Sequence, residues 1–132
     1  MRIDEITISY HNIIWFACDV TGRLIVANSN EGSIPEFVAE NLERAELLAD
    51  RLCGLNSIDR QRTPPIDYNF LADKGFYCFV NDDPYDGYLY QLCAKPTTPL
   101  VLDDLEKDIR ELLSAQMLPI DLADCNCFSI TK

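Results

Sequence analysis

The chain opens with a hydrophobic pattern that predicts paired strands. The run IIWFAC at positions 13–18 is rich in β-branched and aromatic residues, as strands are. After the glycine-containing turn VTGR, the run LIVAN at 24–28 returns, so the two runs predict a β-hairpin. Because the first run is apolar at consecutive positions, we expect this strand to be covered on both faces or to lie beneath a helix.

The next segment has the period of a helix. Ser33 followed by Glu36 forms a capping box, and Gly54 is a typical terminator, so we predict one long helix running to about Cys53. Its apolar and acidic side chains separate onto two sides. The apolar side comprises Phe37, Val38, Leu42, Ala45, Leu48, Ala49 and Leu52. The acidic side comprises Glu36, Glu40, Glu43, Glu46 and Asp50, with Leu47 among them.

A second hairpin follows a polar stretch. Positions 55–65 are polar and end in two prolines, which indicates a connecting loop, and 66–75 predict a short helix that ends at Gly75. The runs FYCFV at 76–80 and YLYQLCAK at 88–95 then predict two paired strands around an acidic turn.

The last third of the chain predicts a second main helix, starting at Asp103 or Asp104, and a short final strand within CFSIT at 127–131. Positions 6–10 fit either an edge strand or a short helical lead-in. The order of elements predicts a single α+β domain over 1–132, with an antiparallel sheet built from two hairpins and two main helices packed on one face. The second helix is expected to pack through Leu105, Ile109, Leu112 and Leu113.

The charge balance narrows the classes of partner. The 132 residues include 22 acids and 11 bases, for a net charge of −11. A phosphate backbone needs clustered Lys and Arg, so we expect no nucleic acid partner, and anionic membrane surfaces are disfavoured for the same reason. A surplus of negative charge of this kind either attracts cationic ligands and basic proteins or only keeps the chain soluble.

Hydropathy and cysteine usage bear on the compartment. No run approaches the roughly 18 apolar residues that predict a membrane span, and the start lacks a signal-peptide layout, so we expect an intracellular, cytoplasmic protein. In a reducing compartment an even number of cysteines does not imply disulfides, so the six are interpreted as free thiols. They are Cys18, Cys53, Cys78, Cys93, Cys125 and Cys127.

Metal chemistry finds little support. The turn that begins at Asp82 does not fit a calcium-binding EF-hand loop. Such a loop needs oxygen ligands at its third and twelfth positions, which here are Pro84 and Cys93. Cys125 and Cys127 are spaced too closely for a usual zinc pair, although a mixed site with a third thiol stays open. We therefore expect no metal and no cofactor.

Catalytic motifs are also missing. His11 is the one histidine, and no nucleophile elbow, metal-binding histidine pair or phosphate loop occurs. The alternative to a binding protein is a small enzyme or small-ligand-binding protein that uses a carboxylate or a thiol in a pocket. A polar-lined cavity near Cys78, Cys93 or His11 would favour this alternative.

Two surface patches are the candidate sites for a basic protein partner. The first is the acidic side of the long helix, where an apolar side chain lies within a charged rim, as at many interfaces. The second is the turn after the FYCFV strand, where tyrosine and acids could meet Lys or Arg. Solvated surface and core packing of Tyr88 and Tyr90 are the competing explanations. The candidate residues are Glu40, Glu43, Glu46, Leu47 and Asp50 on the helix, and Asp82, Asp83, Tyr85 and Asp86 in the turn.

Three segments resemble a group of small uncharacterised bacterial proteins: WFACDVTGRLIVANS, ADKGFYCFV and YLYQLCAKPTTPLVLDDLEKDIRELL. That group has an aromatic-rich strand with a D-x-x-G turn, a K-G-[LF]-Y segment, and a P-x-x-P-L element before a final helix. The resemblance implies no activity. Small acidic proteins of this character are similar to immunity proteins, which neutralise bacterial toxins, so the likeness implies a binding role.

Overall fold

The computed structural model describes residues 1–59, 67–81 and 85–130. Over these ranges the chain is an α+β protein, as predicted. The helices are α1 (Glu5–Tyr10), α2 (Glu36–Ala39), α3 (Leu42–Cys53), α4 (Tyr68–Asp73) and α5 (Lys107–Ser114), with 3-10 turns at Leu102–Asp104 and Leu122–Asp124. The strands are β1 (Asn12–Cys18), β2 (Leu24–Asn28), β3 (Ile58–Asp59), β4 (Tyr77–Val80), β5 (Leu89–Ala94) and β6 (Cys127–Ser129).

The strands form one mixed sheet in the order β3-β1-β2-β4-β5-β6, in which β3 adds only two residues at one edge. Both predicted hairpins exist, β1 with β2 and β4 with β5. The expectation of a purely antiparallel sheet is wrong, because β2 and β4 pair in parallel, with Ile25 opposite Tyr77. The chain leaves β2, passes through α2, α3 and α4, and comes back beside β2 in the same direction, as a crossover connection does.

The sheet is buried on both faces, which explains the continuous apolar run of β1. Trp15 and Ala17 lie in one hydrophobic core, whereas Phe16 and Cys18 lie in the other. Alternate residues of a strand point to opposite faces, so a strand between two cores is apolar throughout. α3 and α5 pack on the same face through Leu48, Ala49, Ile109 and Leu113. The other face is covered by the N-terminal segment, α2 and the residues before β6, among them Ile3, Val38, Leu118 and Leu122.

The predicted long helix is two helices. α2 begins after Pro35, which offers no side-chain cap, and the expected cap from Ser33 does not form. The helix is interrupted at Asn41. The Asn41 side chain accepts a hydrogen bond from the Arg44 amide at 3.0 Å and so caps the N-terminus of α3. The predicted end is confirmed, since Gly54 takes the left-handed conformation with φ of 65°.

The shorter helices and strands can be compared with the remaining predictions from the sequence. The ambiguous N-terminal segment is helical, because the Asp4 carboxylate accepts from the Thr7 amide at 2.7 Å and caps α1. The expected loop over 55–65 contributes β3, and its residues 60–66 lie outside the described ranges. α4 stops just before Gly75, as predicted. The second main helix starts later than expected, at Lys107.

In the part of the chain that the structure describes, no helix is both long enough and apolar enough to cross a membrane.

Candidate interaction surface

The orientation of α3 decides which of its side chains can meet a partner. Leu48 and Ala49 are buried at 1% and 0% exposure and fix the inner side of the helix. At 100° per residue, Glu43, Leu47 and Asp50 lie on the opposite side. We call these three residues the outer face of α3. Leu47 is 41% exposed there, between Glu43 and Asp50.

Two acids at the start of the predicted acidic side have arginine partners. Arg2 forms a bidentate ion pair with Glu36, one of whose contacts measures 3.0 Å, and the pairing raises the pKa of Arg2 and lowers that of Glu36. Arg44 donates to the Glu40 carboxylate at 3.1 Å and also to the Phe37 carbonyl. These two pairs connect α2 to the N-terminal segment and to α3.

Two further acids have different kinds of partner. The Met1 amino group lies 2.6 Å from Glu43, and this hydrogen bond lowers the pKa of Glu43. Glu46 accepts a hydrogen bond at 3.1 Å from the amide of Ser57, a residue that is fully buried. Glu46 therefore supports the approach to β3, and its carboxylate is less available to a partner than the sequence suggested.

Asp50 is exposed, and no described residue pairs with its carboxylate. Its neighbours one helical turn away include Leu47, so the apolar side chain lies beside a carboxylate that has no internal partner. Leu47 is also one turn from Arg44 and Arg51, whose guanidinium groups are directed elsewhere. The outer face of α3 is thus an apolar side chain bordered by Asp50 and Glu43.

Arg51 joins α3 to α5. Its guanidinium nitrogens contact Glu106 at 2.8 Å and Asp108 at 3.1 Å, which raises the pKa of Arg51 and lowers that of Asp108. Arg51 is therefore directed toward α5, whereas the Met1 amino group offsets the charge of Glu43, so Asp50 is the carboxylate of the outer face that has no partner among the described residues.

Two of the four candidate residues in the acidic turn, Tyr85 and Asp86, lie within the described ranges. Tyr85 is 97% exposed, whereas Asp86 accepts a hydrogen bond from the Tyr88 amide at 2.9 Å and shapes the turn locally. Asp82 and Asp83 lie outside the described residues. Tyr88 is half-buried against the aromatic core, so core packing accounts for part of the tyrosine cluster.

A shallow cleft lies next to α2 and was missed by the sequence analysis. Its volume is about 100 Å³. Ile8, Ile34 and Ala39 are its apolar lining, and its polar lining consists of Arg2, Glu5, Ser33, Glu36 and Tyr88. Glu36 belonged to the predicted acidic side and Tyr88 to the predicted tyrosine cluster, but the lining combines the N-terminal segment, α1, the β2–α2 loop, α2 and the turn before β5, which are far apart in sequence.

Asp19 is a buried carboxylate of the kind that the alternative function, a small enzyme, would use. The buried Asp19 carboxylate accepts from Thr21, from the Arg23 amide at 2.8 Å and from the Leu122 amide at 2.9 Å, so it fixes the hairpin turn and the C-terminal segment. His11 and the cysteines are not part of the cleft lining.

Two of the six thiols, those of Cys78 and Cys53, have environments that suit packing. Cys78 is fully buried, and burial raises its pKa to about 12. Burial likewise raises the pKa of Cys53 to about 11. A thiol is nucleophilic only as a thiolate, so pKa values this high disfavour a catalytic role. The Cys125 thiol donates to the Cys127 carbonyl at 3.0 Å, and within 1–59, 67–81 and 85–130 no group of three or more His, Cys, Asp or Glu is placed to hold a metal.

Comparison with known proteins yields no match to a family model, to a curated protein or to a solved structure.

Proposed function

We propose that this chain is a non-enzymatic binding protein, of the kind that neutralises or regulates a basic partner protein as immunity proteins do. The observation that carries the proposal is Leu47, 41% exposed on the outer face of α3 beside the carboxylates of Glu43 and Asp50. An apolar side chain inside a charged rim is the arrangement found at the centre of many protein interfaces.

The charge of the chain supports a basic partner. A net charge of −11 would speed the approach of a positively charged protein and would repel nucleic acid. The contacts of the acidic side chains agree with a basic partner at the outer face of α3. Glu36, Glu40, Glu43 and Glu46 have partners within the chain, whereas Asp50 has none among the described residues.

The test is co-purification of the tagged chain with the proteins encoded beside its gene. Leu47→Gln removes the apolar contact and keeps a good helix former, so the fold should persist while partner affinity falls about tenfold or more. Asp50→Lys reverses a charge at the rim and should slow association, most clearly at low salt.

The matched control is Asp124→Lys. Asp124 is exposed in the 3-10 turn next to Leu122, which packs on the other face of the sheet, and its reversal changes the net charge by the same amount. Equal loss of the partner in the control and in Asp50→Lys would mean that charge alone acts. Unchanged binding by Leu47→Gln and Asp50→Lys together would refute the proposal.

A further inference from the structure

Two thiols that the proposed function does not use lie two residues apart near the end of the chain. Cys127 is exposed at the start of β6, and Cys125 is partly buried just before it, in extended backbone. Alternate residues of an extended chain point to the same side and lie about 6.6 Å apart. That spacing falls within the range of about 4.4–6.8 Å between Cα atoms that a disulfide bridges.

The Cys125 side chain is turned toward Cys127. Its thiol donates a hydrogen bond to the Cys127 carbonyl at 3.0 Å, and the chain bends at the intervening Asn126. Burial raises the pKa of the Cys125 thiol, and the Cys127 thiol raises it further. One ionisable group has this effect on another only at close range, so the two thiols are neighbours in space as well as in sequence.

The backbone around this pair is held on both sides. The Asn126 carbonyl accepts a hydrogen bond from the Leu92 amide at 2.8 Å, and the Ile130 amide donates to the Tyr88 carbonyl at 2.9 Å. These bonds fix the segment against β5. Two groups held on an ordered backbone react with each other far faster than the same groups free in solution.

The other four thiols lack this combination of access and proximity. Cys18 and Cys78 are fully buried, and burial raises the pKa of Cys53 to about 11. Cys93 is exposed, but its thiol is directed at β4, where it donates to the carbonyl of the buried Cys78 at 3.3 Å. Cys93 is therefore a control for exposure without an accessible second thiol.

We propose that Cys125 and Cys127 form a reversible oxidation site, which hydroperoxides convert to an intramolecular disulfide. The exposed Cys127 sulfur attacks hydrogen peroxide, so that an S–O bond forms, the O–O bond breaks, and the departing oxygen leaves as water with the thiol proton. The Cys125 sulfur then attacks the sulfur of the Cys127 sulfenic acid. The S–S bond forms, the S–O bond breaks, and the hydroxyl group leaves with the Cys125 proton as a second water.

The two thiols are thus oxidised by two electrons, and the peroxide is reduced by two. Exposed disulfides are the labile ones, so reduced glutathione should restore both thiols by exchange. Neither step involves the outer face of α3, and the site does not depend on the proposed function.

The test treats the full chain with about one equivalent of hydrogen peroxide, alkylates the remaining thiols with N-ethylmaleimide in denaturant, and digests the product with trypsin. Cleavage after Arg110 leaves Cys125 and Cys127 as the two cysteines of the peptide 111–132, while Cys78 and Cys93 share another peptide. We expect the peptide 111–132 to lose about 2 Da, to escape alkylation, and to regain both thiols with glutathione.

Three variants assign the roles of the thiols. In Cys125→Ser, Cys127 should accumulate as the sulfenic acid, which dimedone traps. Cys127→Ser should slow oxidation at Cys125 about tenfold or more, because the exposed thiol reacts first. Cys93→Ser is the matched control, since it removes an exposed thiol from the neighbouring strand and should leave the rate and yield of the disulfide unchanged.

Three results would overturn the proposal. The first is a peptide 111–132 that keeps both thiols even at about a hundredfold excess of peroxide. The second is earlier oxidation of the peptide that holds Cys78 and Cys93. The third is a disulfide-linked dimer as the main product, because it would mean that the two sulfur atoms of one chain do not reach each other.

Discussion

The hydroxyl of Tyr90 gives the sharpest stability prediction. Tyr90 is fully buried, its hydroxyl donates to the Ser33 carbonyl at 2.6 Å, and it accepts from the Trp15 indole nitrogen at 3.2 Å. Burial raises the pKa of Tyr90, so the hydroxyl stays protonated as a donor. The group thus joins the aromatic core to the loop that leads into α2.

Tyr90→Phe removes that hydroxyl and leaves two groups without their partner. An unsatisfied buried donor or acceptor costs about 1–3 kcal/mol, and the Ser33 end lies nearer the surface, so we expect the free energy of unfolding to fall by about 2–4 kcal/mol. Typical domains have only about 5–15 kcal/mol in total. The ring itself remains, so its contacts with Trp15 at 5.3 Å between centroids should persist.

The measurement is urea unfolding followed by the fluorescence of Trp15, the only tryptophan of the chain, with circular dichroism as a second probe. Tyr88→Phe is the matched control. It deletes the same atom from a half-buried tyrosine whose hydroxyl has no partner among the described residues, and it should change stability by less than about 0.5 kcal/mol. Equal stability of the two variants would refute the reasoning, because it would mean that the buried hydrogen bonds contribute nothing.

The remaining predictions concern the turn, the glycine before β4 and the buried thiol. Asp19→Asn should lower the free energy of unfolding by about 3 kcal/mol, as measured by urea unfolding. The reason is that an amide group has one oxygen and cannot accept hydrogen bonds from all the backbone N–H groups that the carboxylate satisfies, including that of Leu122. Gly75→Ala should cost about 3 kcal/mol in the same assay, because φ is +109° and a Cβ would lie 2.7 Å from the Leu100 Cβ; a neutral effect would contradict the stated geometry. The Cys78 thiol has a pKa raised from 9.0 to about 12, so the folded state retains the proton longer than the unfolded chain. Its contribution to stability is fully present below about pH 9 and is lost as the pH rises toward 12, which thiolate absorbance and unfolding curves in alkali would show.

Local features of the fold could be predicted from the sequence. The β1–β2 hairpin follows from two apolar runs around a glycine turn, and the end of α3 follows from Gly54. The burial of β1 on both faces of the sheet follows from its unbroken apolar run. Each of these depends on a few neighbouring residues, whose preferences act before tertiary contacts form.

Features set by distant contacts could not be predicted. The parallel pairing of Ile25 with Tyr77 joins strands that are separated by three helices, and no local pattern encodes which strand edge a returning chain will meet. The break in the long helix had a signal in Asn41, a good N-cap residue, but the same position also fits the polar side of a continuous helix.

The candidate surface was predictable only in part. Periodicity placed Leu47 and Asp50 on one side of α3, and the structure agrees with that placement. It could not show that Glu46 is held by the Ser57 amide, because that contact joins two elements. The cleft was beyond prediction for the same reason, since Glu5 and Tyr88 meet only after the sheet has formed.

The central claim is that the outer face of α3 is where a basic partner binds. The most direct measurement is a titration of the labelled chain with a lysine-rich amphipathic helical peptide, followed through the backbone amide signals at low and high salt. We predict salt-sensitive shifts concentrated at Glu43, Leu47 and Asp50, with none at Asp124 on the other side of the sheet. Shifts spread evenly over all the exposed acids, or absent from α3, would contradict the claim.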